Sequence, residues 1–234
     1  MEPRLEALLD RVQAEARREE FPVDVAVYRS AGKDPGRPIL CAGSLNAPVC
    51  VVGRDLGKDE VRQGQPLIGA GGSLVRRGVL ESWGHPDLAR GGRKELEAAL
   101  EYVLLTNTVP YKPPGNKAYS EGVKDRFRPF LAELLTVFWT GVHVITLGTE
   151  AFRWFEPFGD SEAFETVGTT DRRFETSFEC QLPTPRDRSE SPARKACRIL
   201  PLPHPSPLNR RWTAAFPGML ARRLADIRAA VEGA

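Results

Sequence analysis

Short apolar runs alternate with helical patterns along this chain. Largely apolar stretches at 48–52, 102–106, 142–147 and 197–202 predict four strands. The stretch 102–106 lacks the alternation of a half-exposed strand, which is typical of a parallel sheet covered on both faces. Segments of helical periodicity, such as 121–137, separate the four stretches. The order of elements therefore predicts a single α/β domain with a mostly parallel, four-stranded central sheet between two layers of helices.

Two stretches fit this alternation less well. Residues 1–47 start with an amphipathic helix, in which Leu5, Leu8 and Val12 share a face, and continue as a turn-rich extension. Residues 160–195 show the least regular pattern, and we expect them to form an irregular insertion. Neither stretch has the size or composition of a separate core, so we expect one domain over residues 1–234.

The composition of the chain limits the classes of protein to which it can belong. The chain has 33 Lys and Arg residues against 31 acidic ones, so a site for anions has to be local. No apolar run is long enough to cross a bilayer, and the charged N-terminus does not resemble a signal peptide. The four cysteines have no CxxC spacing and the three histidines are scattered along the chain. We therefore expect neither a metal site nor a cofactor. We expect a cytoplasmic monomer.

Candidate chemistry lies in three loops that follow predicted strands. The sequences GRDLG at 53–57, NTVPY at 107–111 and HPSPL at 204–208 each contain one chemically capable side chain. In open α/β sheets, ligands bind beyond the carboxyl ends of the strands. We therefore expect these side chains, Asp55, Asn107 and His204, to meet at one edge of the sheet.

Three segments in this order resemble motifs of the uracil-DNA glycosylase superfamily. GRDLGKDEVRQGQPLIGAGG (53–72) is similar to its water-activating loop and base pocket, and LLTNTVPYKPPGNK (104–117) to the strand that ends in a base-reading Asn. HPSPLNRR (204–211) is similar to the loop that enters the DNA minor groove. The resemblance implies the three-layer α/β/α fold of that superfamily.

The resemblance also implies roles in cleavage of an N-glycosidic bond. Asp55 would stabilise the positive charge on the sugar and orient the attacking water. The Asn107 amide would read the edge of the base, and His204 would donate a hydrogen bond to the base oxygen that becomes negative. Gly53 and Leu67 would line the base pocket.

A base inside a duplex reaches such a pocket only when it is flipped out of the stack. Leu208, at the tip of the HPSPL loop, is suited to fill the gap as an apolar wedge. The nearby arginines and polar side chains would hold the DNA backbone. The residues expected to contact DNA are Ser206, Leu208, Arg210, Arg211, Lys112 and Asn116.

The chain departs from the superfamily pattern at three positions. The iron–sulfur branch, which has a similar PPGN segment, has a cysteine where Tyr111 stands and a CxxC pair near its N-terminus, so no cluster is expected here. Arg54 replaces a Glu of that branch. Leu67 stands where the base-stacking Phe is expected, and aromatic stacking is worth ~1–3 kcal/mol per base. We therefore expect weaker selectivity for uracil.

These observations favour a monofunctional DNA repair glycosylase that removes uracil or a related deaminated base and leaves an abasic site. Two alternatives remain open. The chain could bind damaged DNA without hydrolysing it, which the residues Arg54 and Leu67 favour. It could instead hydrolyse a small nucleoside, but a free nucleoside needs no wedge, so the loop at 208–211 argues against this.

Overall fold

The computed structural model describes residues 3–185, 193–206 and 209–233 of the chain. Their strands form one sheet in the order β1-β3-β2-β4-β6-β5. The bounds are β1 (Cys41–Gly43), β2 (Val49–Gly53), β3 (Val103–Asn107), β4 (His143–Leu147), β5 (Phe178–Pro183) and β6 (Arg194–Leu202).

The four predicted strands are confirmed as the parallel centre of the sheet, β3-β2-β4-β6. The sheet has six strands rather than four, because β1 and β5 add antiparallel edges to β3 and β6. β1 spans only three residues, too few for a recognisable pattern. β5 alternates buried and exposed residues within a mostly polar stretch. The stretch 160–195 is therefore not simply an irregular insertion, since its described part includes an edge strand.

Helices connect the strands and cover both faces of the sheet. They are α1 (Pro3–Arg18), α2 (Val25–Ser30), α3 (Lys58–Gln63), α4 (Ala70–Ser82), α5 (Pro86–Ala89), α6 (Arg93–Leu96), α7 (Glu121–Glu133), α8 (Thr149–Arg153), α9 (Ser161–Thr166), α10 (Arg210–Thr213) and α11 (Phe216–Glu232). One π-helical turn (Leu134–Phe138) extends α7. Single 3₁₀ turns lie at Glu97–Glu101, Pro114–Asn116, Glu156–Phe158 and Asp171–Phe174. Within the described ranges, no helix is both long and apolar enough to span a bilayer.

Successive strand residues face opposite sides of the sheet and build two separate cores. In β2, Cys50 and Val52 pack in the core formed with α1, α7 and α8. Val49 and Val51 pack in the other, formed with α4 and α11. This arrangement confirms the predicted α/β class with helices on both faces. It also explains why β2 carries apolar residues on both of its faces.

Candidate active site

A pocket of about 490 Å³ opens at the carboxyl ends of the parallel strands. Its walls come from the loop after β2, the start of α4, the end of β3 and the loop after β6. The structure brings together in this pocket the residues expected to carry the chemistry and to line a base site, namely Asp55, Asn107, His204, Gly53 and Leu67.

The loop after β2 is fixed to the neighbouring strand. The backbone N–H of Thr108, just beyond β3, donates to the carbonyl oxygens of Gly53 at 3.0 Å and Arg54 at 3.1 Å. The Thr108 hydroxyl donates to the Arg54 carbonyl as well. These bonds satisfy the backbone where the ladder ends, so the position of Asp55 is set by the sheet.

Asp55 carries a buried carboxylate that is paired with the neighbouring arginine. Its side chain is 3% exposed, and Arg54 Nε lies 2.7 Å from Oδ2. Burial raises the pKa of Asp55 to about 6. The positive charges of Arg54 and Lys124 oppose this rise, and the negative charge of Glu150 adds to it.

Asn107 ends β3 directly beside Gly53, its register partner in β2. The residue is 2% exposed, and its Oδ1 has no hydrogen-bond partner among the described residues. A Cβ at Gly53 would lie 2.7 Å from Asn107 Nδ2, so only glycine permits this approach. The amide therefore keeps an unused acceptor at the pocket wall.

Leu67 adopts a left-handed backbone conformation, with φ of 54°. The guanidinium of Arg76, a residue only 2% exposed, donates to its carbonyl oxygen. A Cβ at Gly72 would lie 1.7 Å from the same oxygen, so glycine is required there too. These neighbours hold a conformation that is uncommon for a non-glycine residue. They place an aliphatic side chain across from Asn107, since a Cβ at Gly53 would also lie 3.1 Å from Leu67 Cδ2.

His204 lies at the exposed rim of the pocket. Its Cβ sits close to Gly148, where an added Cβ would lie 3.1 Å away and where φ is +89°. The pKa of His204 is lowered, chiefly by partial desolvation and to a smaller extent by the positive charge of Arg54. The ring is therefore neutral at neutral pH and able to donate one hydrogen bond.

The loop after β6 is held by its own turn. Asn209 Nδ2 donates to the His204 carbonyl oxygen at 3.0 Å, and its N–H donates to that of Ser206 at 2.8 Å. Ser206 lines the pocket. Arg210 and Arg211 follow on the exposed surface of α10, and Arg211 pairs with Asp171.

The structure does not place three of the residues expected to contact DNA on the described surface. Lys112 is 3% exposed, and its Nζ lies 2.8 Å from Asp24 Oδ2 and 2.9 Å from the Pro113 carbonyl oxygen. Its assignment as a DNA contact is corrected, because this amine is held inside the protein and joins two segments of the chain. Leu208 and the side chain of Asn116 lie outside the described part of the structure.

Tyr111, which stands where the resemblance predicts a cluster cysteine, is packed among aromatic side chains. Its hydroxyl donates to the Gly36 carbonyl oxygen at 3.1 Å. Its ring centroid lies 5.3 Å from that of Phe21 and 5.5 Å from that of Phe127. Within the described residues, no three His, Cys, Asp or Glu side chains are arranged to bind a metal ion. The residues around Tyr111 therefore do not fit an iron–sulfur cluster.

Sequence reasoning missed two charged groups, Lys124 and Glu150, that contribute to the pKa of Asp55. Lys124 of α7 has a side chain only 4% exposed, with Nζ 2.8 Å from Glu121 Oε1. The same amine pairs with Glu150 of α8. A lysine within a charged helix is an ordinary surface pattern, so no signal in the sequence separates this one from the others.

Two comparisons show which known proteins this chain is similar to. A sequence model of the Uracil DNA glycosylase superfamily matches residues 41–228, more than half of the chain. The solution NMR structure of a candidate uracil DNA glycosylase from Methanosarcina acetivorans is also similar, with 13% sequence identity. That similarity covers 80% of this chain and 95% of the other, with a TM-score of 0.47, which is too distant to assign a function.

Proposed function

Because the chain belongs to the uracil DNA glycosylase superfamily, we propose that it removes uracil or a related deaminated base from DNA by hydrolysis. The observation that supports this most directly is a pair of buried polar side chains in one pocket. Oδ1 of Asn107 has no hydrogen-bond partner in the described structure, and the buried carboxylate of Asp55 has an ion pair with Arg54. Buried polar atoms without a partner are rare, and the edge of a flipped base would supply a donor to Oδ1 of Asn107.

In the chemical step, the bond between C1′ of the sugar and the base nitrogen breaks, and its electron pair leaves with the base. The oxygen of a water molecule then bonds to C1′, and Asp55 accepts the proton that this water loses. Before that, the carboxylate stabilises the positive charge on the sugar. A water nucleophile leaves the DNA strand uncut, so the product is an abasic site.

Asn107 and His204 would act on the base. The amide of Asn107 offers an acceptor and two donors, which match the neighbouring N–H and carbonyl groups of a uracil-like edge. His204, neutral at the rim of the pocket, would donate to the base oxygen where negative charge develops. Such a fixed donor stabilises the transition state more than the ground state.

A second candidate function is recognition of damaged DNA without hydrolysis. The observation that favours it is the ion pair between Arg54 Nε and Asp55 Oδ2 at 2.7 Å, since it engages the carboxylate needed for chemistry. In this case the pocket would accept a flipped base and hold it.

One experiment separates the two. The protein is incubated with matched single- and double-stranded oligonucleotides that carry uracil, hypoxanthine or xanthine, and free bases are identified by mass spectrometry. A glycosylase releases a base and leaves a strand that breaks only after alkali. Mobility shift measured on the same oligonucleotides with Asp55→Asn as the control detects binding without release. Absence of both release and selective binding would exclude both functions.

A further inference from the structure

The peptide bond between Leu67 and Ile68 is held by two charged side chains. The guanidinium of Arg76, on α4, donates to the Leu67 carbonyl oxygen. The N–H of Ile68, the other polar group of this peptide, donates to Oε1 of Glu60, on α3, at 3.3 Å. Hydrogen bonds to charged groups are stronger than those between neutral groups. The plane of the peptide is therefore fixed directly after the left-handed backbone at Leu67.

Arg76 is an expensive residue to enclose at this place. It is buried, and its other hydrogen bond among the described residues goes to Oε1 of Gln65 at 3.4 Å. Its Nε has no hydrogen-bond partner there, and it forms no ion pair with a described carboxylate. An apolar side chain of similar size would cost less to bury. Both partners of the guanidinium belong to the loop between α3 and α4, so the contacts that offset its burial all hold that loop.

The same loop supplies one wall of the pocket. Leu67 Cδ2 and Asn107 Nδ2 lie 3.1 and 2.7 Å from the point that a Cβ at Gly53 would occupy. The leucine methyl group is thus a close neighbour of the amide that would read the base. With a negative φ, which leucine prefers, the side chain would leave this position and the space beside Asn107 would widen.

We infer that Arg76 is a positioning residue that keeps the Leu67 side chain in the pocket wall and so favours a pyrimidine-sized base over a purine. This inference rests on the proposed function, in which a flipped base lies against Asn107. The bond to the Leu67 carbonyl oxygen opposes relaxation of the backbone to a negative φ, because relaxation would leave the guanidinium enclosed with one partner fewer. A buried charge that loses a partner is costly.

Arg76→Met tests this inference, because methionine fills similar space and lacks the donor. The ratio of kcat/KM for hypoxanthine to kcat/KM for uracil should rise about tenfold, since one apolar contact in a pocket contributes selectivity of this order. If the bases are bound without release, the ratio of the two affinities should change in the same direction. Arg77→Met is the matched control, because Arg77 is the next residue of the same helix and is exposed. Its ratio should stay at the parental value.

A second measurement needs no substrate. In NMR spectra of the parent, a nuclear Overhauser effect should connect a Leu67 methyl group with the side-chain amide of Asn107. This contact should be lost in Arg76→Met and kept in Arg77→Met. A purely structural Arg76 would lower stability without moving it. Either a retained contact or an unchanged ratio in Arg76→Met overturns the inference. If the parent neither releases nor selectively binds a damaged base, the proposed function fails, whereas the NMR contact still decides whether Arg76 positions Leu67.

If Arg76→Met does not fold, the double variant with Leu67→Gly decides. Glycine adopts a positive φ without cost and has no side chain to direct, so position 67 would no longer need the guanidinium. A double variant that folds supports the inference. One that does not fold assigns Arg76 to the fold as a whole and overturns it.

Discussion

The loops that follow β2 and β6 face one pocket but are built in opposite ways. The first encloses its reactive group, since the Asp55 side chain is 3% exposed and its backbone is tied to β3 through Thr108. The second keeps His204, Arg210 and Arg211 at the surface, and its fixed contacts are those of a local turn. The proposed function accounts for this difference, because a carboxylate gains electrostatic effect from a dry setting, whereas groups that would contact DNA have to remain accessible.

Because the two loops differ in exposure, substitutions in them should affect different quantities. An enclosed charge changes both the rate of reaction and the stability of the fold, because desolvation acts on it directly. An exposed charge contributes little to stability and acts mainly on association with a charged partner. Substitutions in the two loops should therefore produce separable effects.

The largest effect is expected for Asp55→Asn, which keeps the shape and removes the charge. The rate of base release should fall by at least ~100-fold, as for the loss of one electrostatic stabiliser. Affinity for damaged DNA should change much less, because the loss belongs to the transition state. Single-turnover rates and mobility shifts measure the two quantities. A variant with full activity would place the chemistry elsewhere.

The same substitution should stabilise the fold at high pH. The pKa of Asp55 is raised from 3.8 to about 6, so the stability linked to its proton is complete below pH 4 and is lost as the pH rises through 6. At pH 8, the parent should be less stable than the variant by up to about 3 kcal/mol. Thermal unfolding at pH 4 and pH 8 tests this, and a variant less stable than the parent at pH 8 would contradict it.

Gly53→Ala should follow in size. The added methyl group would lie 2.7 Å from Asn107 Nδ2, so the amide has to move. Because a displacement of about 1 Å can cost 100-fold, we expect a loss of about 10- to 100-fold in base release. Gly122→Ala is the matched control, since nothing lies within 4 Å of its added Cβ. Equal rates for the two variants would show that the approach of Gly53 to Asn107 is not needed.

The pH profile of kcat/KM should reflect the ionisation of the buried Asp55 carboxylate. Asp55 acts when it is ionised, so kcat/KM should be level well above pH 6 and fall about tenfold per pH unit below it. At pH 5 the rate should be about one tenth of that at pH 7. Residual activity of Asp55→Asn should lack this limb. A flat parental profile between pH 5 and 8 would separate catalysis from this group.

The smallest effects belong to the exposed loop. Arg210→Ala and Arg211→Ala should each weaken binding to undamaged DNA a few-fold. Each should also reduce by about one the slope of the logarithm of the binding constant against the logarithm of the salt concentration. Asp171→Asn should tighten binding slightly, because it releases the Arg211 guanidinium from a surface ion pair. Titrations at several salt concentrations measure these changes. A loss of fold stability in either Arg variant would assign that side chain to the structure instead.

The central sheet could be predicted because its signal is local. Each inner strand contains a largely apolar run, and the polar residue that follows the strand has to lie at the same edge of the sheet as the polar residues after its neighbours. The edge strand β1 could not be predicted, because it has only three residues. β5 was not predicted, although its alternation is a strand signal, because the segment lies within a mostly polar stretch.

The charged residues show more clearly what the sequence alone cannot predict. Lys112 lies in a polar loop that suggests a surface position, but Asp24, 88 residues away in the sequence, holds its amine inside. Lys124 of α7 pairs with Glu150 of α8, which lies 26 residues further along the chain. Such pairings depend on the packed structure, and the pattern of a single segment does not contain them.

The left-handed backbone at Leu67 restricts how the pocket can change in evolution. Asn, Asp and His tolerate this conformation better than most residues, whereas Val, Ile and Thr are strongly disfavoured. Gly72 cannot relieve the restriction, since any side chain there would collide with the Leu67 carbonyl oxygen. Mutational routes to a new base preference at position 67 therefore lead more readily to short polar side chains than to branched apolar ones, and a library for redesign should be weighted accordingly.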